Sequence, residues 1–176
     1  SVTIIFALMR LIILIFVLLS NSITSQEDKY LLSTVAFYNV ENLFDVNDDP
    51  KNNWDQKWLE EGTWTEEIYN QKLENISKVI PDIGYQYTLS HPTIIGLCEV
   101  ENRKVLIDLV QSKSMKDLSY GLIHFDSPDE RGIDVALLFD RKRFKPIKSK
   151  IYPLLLIKGN GDRDYTRDQL LVEGYL

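Results

Sequence analysis

Two short apolar runs, about sixty positions apart, each end in an oxygen-bearing side chain of the kind that holds a hard cation. The first is Thr34-Val-Ala-Phe-Tyr-Asn39-Val-Glu41-Asn42, and the second is Thr93-Ile-Ile-Gly-Leu-Cys-Glu99-Val-Glu101-Asn102. β-Branched and aromatic residues favour strands, and a buried strand that runs out into a cleft delivers its last side chain there. Mg²⁺ takes oxygen ligands, often only one or two of them carboxylates, with water and substrate phosphate completing the shell. Asn39 and Glu99 are therefore the candidate pair. Each also has a plain structural reading. Asn39 can cap backbone groups at a strand end, and Glu99 can sit as a carboxylate at a helix N-terminus.

A third segment, Arg131-Gly-Ile-Asp-Val-Ala-Leu-Leu-Phe-Asp140, repeats the pattern of a buried strand flanked by charges. Within it Asp134 stands between Ile133 and Val135, where an unpaired carboxylate is costly. It either faces the cleft or pairs with Arg131 or Arg167. Arg167 can reach a phosphate through two parallel hydrogen bonds or can pair with a strand carboxylate. Glu41 and Glu101 each stand two residues beyond a candidate residue, so on a continuing strand they share its face. Glu41 is the stronger supporting group of the two.

The order and wording of these segments resemble the endonuclease/exonuclease/phosphatase family. These metal-dependent phosphoesterases include AP endonucleases, pancreatic-type deoxyribonucleases, sphingomyelinases and inositol-polyphosphate phosphatases. The resemblance runs from about Ser33 to the end of the chain, and its opening block, Phe37 to Asp45, is similar to that of the secreted bacterial members. Asn39 matches the family's strand-end Asn, and Glu99 matches the metal-binding Glu of its second motif. The family usually has Gln before that Glu; here the residue is Cys98. The resemblance implies catalytic and metal-binding roles for Asn39 and Glu99 with Mg²⁺ or Mn²⁺. It further implies a phosphate-ester substrate, nucleic acid among the candidates. The implied fold is α/β, a two-sheet sandwich flanked by helices, with residues 30–176 forming its N-terminal part. On this expectation the sandwich is incomplete at the C-terminal side. The family's Asp/Asn pair and terminal Asp-His then fall beyond Leu176, with the carboxylate that activates water among them.

The remaining titratable residues have simpler readings. His91 precedes Pro92 and reads as a solvated turn residue, and His124 ends an apolar run as a structural strand-end residue. The single cysteine, Cys98, reads as a small buried hydrophobe. The basic cluster Arg141-Lys-Arg-Phe-Lys145 reads as a solvated turn. Asp45-x-Asn47-x-Asp49 is spaced like the start of an EF-hand loop. Pro50 and Gln56, however, replace the required Gly and Glu, which leaves a surface loop to Gly62.

At the amino terminus, Leu11 to Leu19 is an apolar run preceded by Met9-Arg10 and followed by small polar residues up to Ser25. That is the layout of a secretory signal peptide over residues 1–25, with the mature chain beginning near Gln26. The rival reading is an anchor from Val2 to Leu19. Arg10 opposes it, since a charge near the middle of a span costs about 2.5–3.5 kcal/mol on insertion scales. Export to the periplasm or the exterior is the expectation, without stable membrane association once the signal is removed. The chain carries a net charge of −6. An acidic protein is poorly suited to coating duplex DNA, because non-specific binding depends on Lys and Arg neutralising phosphates. Three functions follow: an exported nuclease or other phosphodiesterase; a phosphomonoesterase or lipid phosphodiesterase on the same scaffold; and a non-catalytic exported binding protein.

The elements that must position these residues are also readable. Strands are expected at Leu31–Val40, Thr93–Cys98, Tyr120–Phe125, Ile133–Phe139, Ile147–Ile157 and Asp168–Tyr175. Thr65 is expected to cap a helix that ends at Pro81, with Ile68, Leu73, Ile76, Val79 and Ile80 inward. Asn102 is expected to cap a second helix through Gln111.

Overall fold

The computed structural model describes residues 2–20, 30–50 and 60–176. Two units form, Ser1–Leu31 and Leu32–Leu176. The first contains helix α1 (Val2–Ser20), apolar apart from Thr3, Arg10 and Ser20. Among the described residues no helix is long and apolar enough to cross a membrane. The expected cleavage point near Gln26 lies outside the described residues, as do Asn52, Asn53 and Gln56 of the polar loop.

The second unit is built on four strands: β1 (Val35–Leu43), β2 (Ile94–Val100), β3 (Tyr120–His124) and β4 (Asp134–Asp140). Their spatial order is β1-β2-β4-β3, with β1 parallel to β2 and the other two pairs antiparallel. A parallel pair needs a long crossover. Helix α2 (Glu66–Asp82) lies within it, followed by the single turn α3 (Tyr85–Thr88). Helix α4 (Arg103–Gln111) joins β2 to β3. Beyond β4, β5 (Lys145–Tyr152) pairs antiparallel with β8 (Gln169–Tyr175). The two-residue strands β6 (Leu156–Ile157) and β7 (Arg163–Asp164) pair with each other.

Thr65 caps α2, its hydroxyl accepting the N–H of Ile68, and Asn102 caps α4 by accepting that of Val105 at 3.1 Å. Each such cap is worth about 1 kcal/mol. Pro81 does not stop α2 but is carried in its last turn, and the helix ends one residue later. The buried stripe of α2 is Tyr69, Leu73, Ile76 and Ile80, while Ile68 and Val79 are exposed. With Val105, Leu106 and Leu109 of α4 it covers Ile95, Leu97, Ala136 and Leu138 of the central strands. These positions alternate along β2 and β4, so both helices cover one face of the sheet.

The opposite face carries Phe37, Gly96 and Leu137 in one cross-strand row and Asn39, Cys98 and Val135 in the next. The Phe37 ring lies against Gly96, where a Cβ would come within 2.6 Å of it. The segment Arg167–Leu170 crosses this face and lines, together with Phe37, Gly96 and Leu137, an open recess of about 620 Å³. β1 is an edge strand and starts four residues later than expected. Val35 and Phe37 are exposed, so it is half-buried rather than buried. The expected strand Ile147–Ile157 divides into β5 and β6. Mixed strands with helices packed on one face give the α/β architecture, with a sheet layout that is not closed.

Candidate metal and phosphate site

Asn39 and Glu99 stand near the ends of adjoining parallel strands. Asn39 is the register partner of Cys98, and registered partners project to the same face. Strict alternation would send the next residue, Glu99, to the opposite face. A register shift between Cys98 and Val100 prevents this, because Glu99 takes a left-handed φ of +66°. Val100 then returns to the core at 0% exposure, so Cys98 and Glu99 both stay on the face of Asn39. A carboxylate-bearing residue held in the left-handed region is uncommon, and such strain persists only where the surroundings enforce it.

The Asn39 Oδ1 accepts the backbone N–H of Glu41 at 2.8 Å, leaving its amide NH₂ and a second lone pair free for other partners. Glu99 is mostly buried, with 16% of its side chain exposed. Among the described residues it makes no hydrogen bond, and its ion pair is a loose one to Arg167 at 3.6 Å. A buried carboxylate with spare lone pairs and a neighbouring amide oxygen fits a small hard cation. Oxygen donors suit a hard cation better than a soft one, and burial and the Glu99 carboxylate push the pKa of the nearby Cys98 thiol up.

The two motifs interlock beyond the candidate pair. Glu101 does not continue the strand on the face of Glu99. It turns inward, and its carboxylate accepts the N–H of Asp45 at 2.6 Å. Asn102 donates to the carboxylate of Asp45 at 3.3 Å while it caps α4. Asp45, expected in a surface loop, is therefore buried at 3% exposure. Glu41 is exposed and left-handed, with φ of +56°.

Arg167 reaches back from the segment before β8 to Glu99, and its Nε lies 3.7 Å from Asp129. Asp129 is a buried carboxylate in the β3–β4 loop that also meets Arg131 at 3.5 Å and Thr166 at 3.4 Å. Asp134 takes its partners from its own hairpin. Its oxygens accept from the Ser127 N–H and hydroxyl at 2.8 and 2.6 Å, and Nε2 of His124 lies at 2.9 Å. A strand-opening carboxylate takes the nearest donors of its own hairpin, and sequence distance alone did not reveal them. His124, Asp126 and Asp134 also place potential ligand atoms within 4.8 Å of one another, although Asp126 is 94% exposed. Asp126 and Asp134, but not His124, line an acidic cleft with Glu101, Asp129 and Glu130.

At the far end of the sheet, His91 is not a solvated turn residue. It pairs with buried Asp140 at 3.1 Å and packs edge-on against Tyr120. Arg143 likewise leaves the expected solvated cluster to bond Asp140 at 2.6 Å and the carbonyl of His91. Burial works against ionisation of Asp140, yet the Lys142 N–H and the Arg143 guanidinium hold its carboxyl below the usual range.

Two residues at the candidate site escaped sequence reasoning. Lys72 sits on α2, for which the sequence pattern marked only the cap, the apolar positions and Pro81, and Asp129 lay within a loop rich in acids. The one available signal for Lys72 was its place one residue before the core residue Leu73.

No curated protein matches the chain. Residues 34–176 match the Endonuclease/Exonuclease/phosphatase family, which covers the whole four-stranded sheet and every candidate residue described above. The chain belongs to the endonuclease/exonuclease/phosphatase family, whose members are divalent-metal-dependent phosphoester hydrolases.

Proposed function

We propose that this protein is an exported, Mg²⁺- or Mn²⁺-dependent phosphodiesterase of the endonuclease type, with Asn39 and Glu99 in its metal centre. The observation that carries this reading is the bulge at Glu99. It keeps a carboxylate that has no hydrogen-bond donor among the described residues on the same face as Asn39, beside Arg167. Glu99 would hold the ion, and Asn39 would ligate it or hydrogen-bond a water in its shell. The bound ion would polarise the phosphoryl group and steady charge on the leaving oxygen. Arg167 stands where its guanidinium can bond a phosphate oxygen while Asp129 holds its other edge.

Among the described residues the site offers one cation to substrate, Arg167, and no longer basic track, so the reading favours recognition of one phosphodiester over coating of a duplex. Nucleic acid, a lipid headgroup and a small phosphodiester share that group. Export rests on the layout of residues 1–25, in which Arg10 precedes a short apolar run.

Glu99→Gln tests the reading, because the replacement is isosteric but uncharged. It should abolish Mg²⁺- or Mn²⁺-dependent cleavage of bis-p-nitrophenyl phosphate and plasmid DNA, and weaken Mn²⁺ binding by tenfold or more, about what loss of a metal-site partner costs. Wild-type Mn²⁺ affinity in the variant would remove Glu99 from the metal centre.

A further inference from the structure

Helix α2 packs on the sheet through Tyr69, Leu73, Ile76 and Ile80, yet Lys72 turns away from that contact and folds over the end of β1. Its ammonium donates to the backbone carbonyl of Glu41 and, at 3.4 Å, to that of Asn42. It also lies 5.5 Å from the centre of the Trp64 ring. The Trp64 indole N–H in turn donates to the carbonyls of Phe44 and Asp45 at 3.2 and 3.1 Å. The remaining carbonyl of this stretch, Leu43, accepts the N–H of Glu101 at 3.0 Å. Every carbonyl from Glu41 to Asp45 is therefore held from outside the strand.

Such a grip has a physical reason. Glu41 and Asn42 both lie in the left-handed region, with φ of +56° and +59°. Two successive non-glycine residues there are unfavourable for L-amino acids, and they persist only when surrounding contacts enforce them. The left-handed pair aims both carbonyls toward α2, where a single ammonium with several donors can collect them. Asn39 depends on this turn directly, because its Oδ1 accepts the N–H of Glu41 at 2.8 Å. Were Glu41 to relax to an extended conformation, that N–H would swing away and release the Asn39 side chain. Burial lowers the pKa of Lys72, while the carboxylates of Glu41 and Glu99 pull it back toward the charged form. The cation thus sits within the field of both candidate strand ends.

We propose that Lys72 is a positioning residue, locking the left-handed Glu41–Asn42 turn and thereby fixing the Asn39 side chain on the face it shares with Glu99. The inference rests on the reading of Asn39 and Glu99 as a metal centre. Its contact with the site runs through the backbone and requires no touch on substrate.

The test is nuclear magnetic resonance on ¹⁵N-labelled protein, comparing wild type with Lys72→Met, Lys72→Arg and Asn39→Ala. Two quantities are read: hydrogen exchange at the Glu41 amide, and Mn²⁺ affinity from broadening of the Asn39 side-chain amide signal, or of the Glu99 backbone amide in Asn39→Ala. Lys72→Met should speed Glu41 exchange and weaken Mn²⁺ binding, each by about tenfold, the usual cost of losing a residue that orients a ligand. Lys72→Arg keeps the charge and several donors and should stay within about threefold of wild type. Lys72→Gln, which retains a donor on a shorter side chain, replaces Lys72→Met if the dispersion of the Leu97 and Leu106 methyl signals shows that the latter has lost its fold. Unchanged Glu41 exchange and unchanged Mn²⁺ affinity in a folded Lys72→Met protein would overturn the proposal. Failure of Mn²⁺ to broaden the wild-type Asn39 signal would instead sink the metal reading. Glu41 exchange would then still decide whether Lys72 locks the turn.

Discussion

Arg167 reaches across the open face of the sheet to within 3.6 Å of the Glu99 carboxylate, joining residues 68 positions apart in sequence. The same guanidinium faces buried Asp129, so one cation is held between two carboxylates. At these distances the contacts are ion pairs without hydrogen-bond geometry, which leaves donors of Arg167 available to a phosphate.

Arg167→Ala should therefore separate two roles. Removing a cation from beside Glu99 leaves Mn²⁺ binding unimpaired or strengthens it by up to about fivefold, the range for a partly solvated ion pair. Turnover of bis-p-nitrophenyl phosphate should fall, through a raised KM. Calorimetric titration with Mn²⁺ and steady-state kinetics check both parts. A loss of metal affinity matching that of Glu99→Gln would place Arg167 in a purely structural role.

Asp134 should matter for stability more than for metal binding. It is 4% exposed and satisfied by Ser127 and His124, so truncation strands part-buried donors on both. Asp134→Ala is expected to cost about 3 kcal/mol in urea denaturation, as for other broken buried pairs. Mn²⁺ affinity should stay near wild type. A destabilisation below about 1 kcal/mol would mean that the His124–Asp134 contact contributes little.

His91 gives stability a pH dependence with a definite sign. Burial and the nearby Arg143 guanidinium lower its pKa from the ordinary 6.5, against the pull of Asp140. The unfolded chain then binds the proton more readily than the folded one, so the folded state loses stability as pH falls below 6.5. The urea midpoint should drop between pH 7 and pH 5. His91→Gln, which cannot take up a proton there, should flatten that part of the profile. A wild-type midpoint that rises on acidification through this window would reverse the assignment.

Much of this was legible from local chemistry. Thr65 and Asn102 were readable as caps because an N-cap bonds N–H groups only three residues away. The four sheet strands were readable from apolar runs of β-formers, and the family from the Asn39 and Glu99 motifs. Strand edges were less legible. Whether Val35 and Phe37 are covered depends on which neighbour β1 finds, and it finds one on a single side.

The residues that complete the candidate site came from elsewhere in the chain. Alternation along β2 would have turned Glu99 to the wrong face, and only the register slip against β4 returns it to the side of Asn39. Continuing that alternation would also have put Glu101 beside Glu99, whereas the N–H of Asp45, 56 residues earlier, draws it inward. The grip of Lys72 on the Glu41–Asn42 turn spans 31 and 30 residues, and the bond of Arg143 to the carbonyl of His91 spans 52. The sequence by itself determined the family, the candidate pair and the helix starts, because those depend on residue type and on neighbours within one turn or one strand. The tertiary structure alone decided which faces the carboxylates occupy and which cations stand beside them. Those outcomes follow from long-range packing that places unsatisfied backbone carbonyls and buried charges within reach of side chains on other elements.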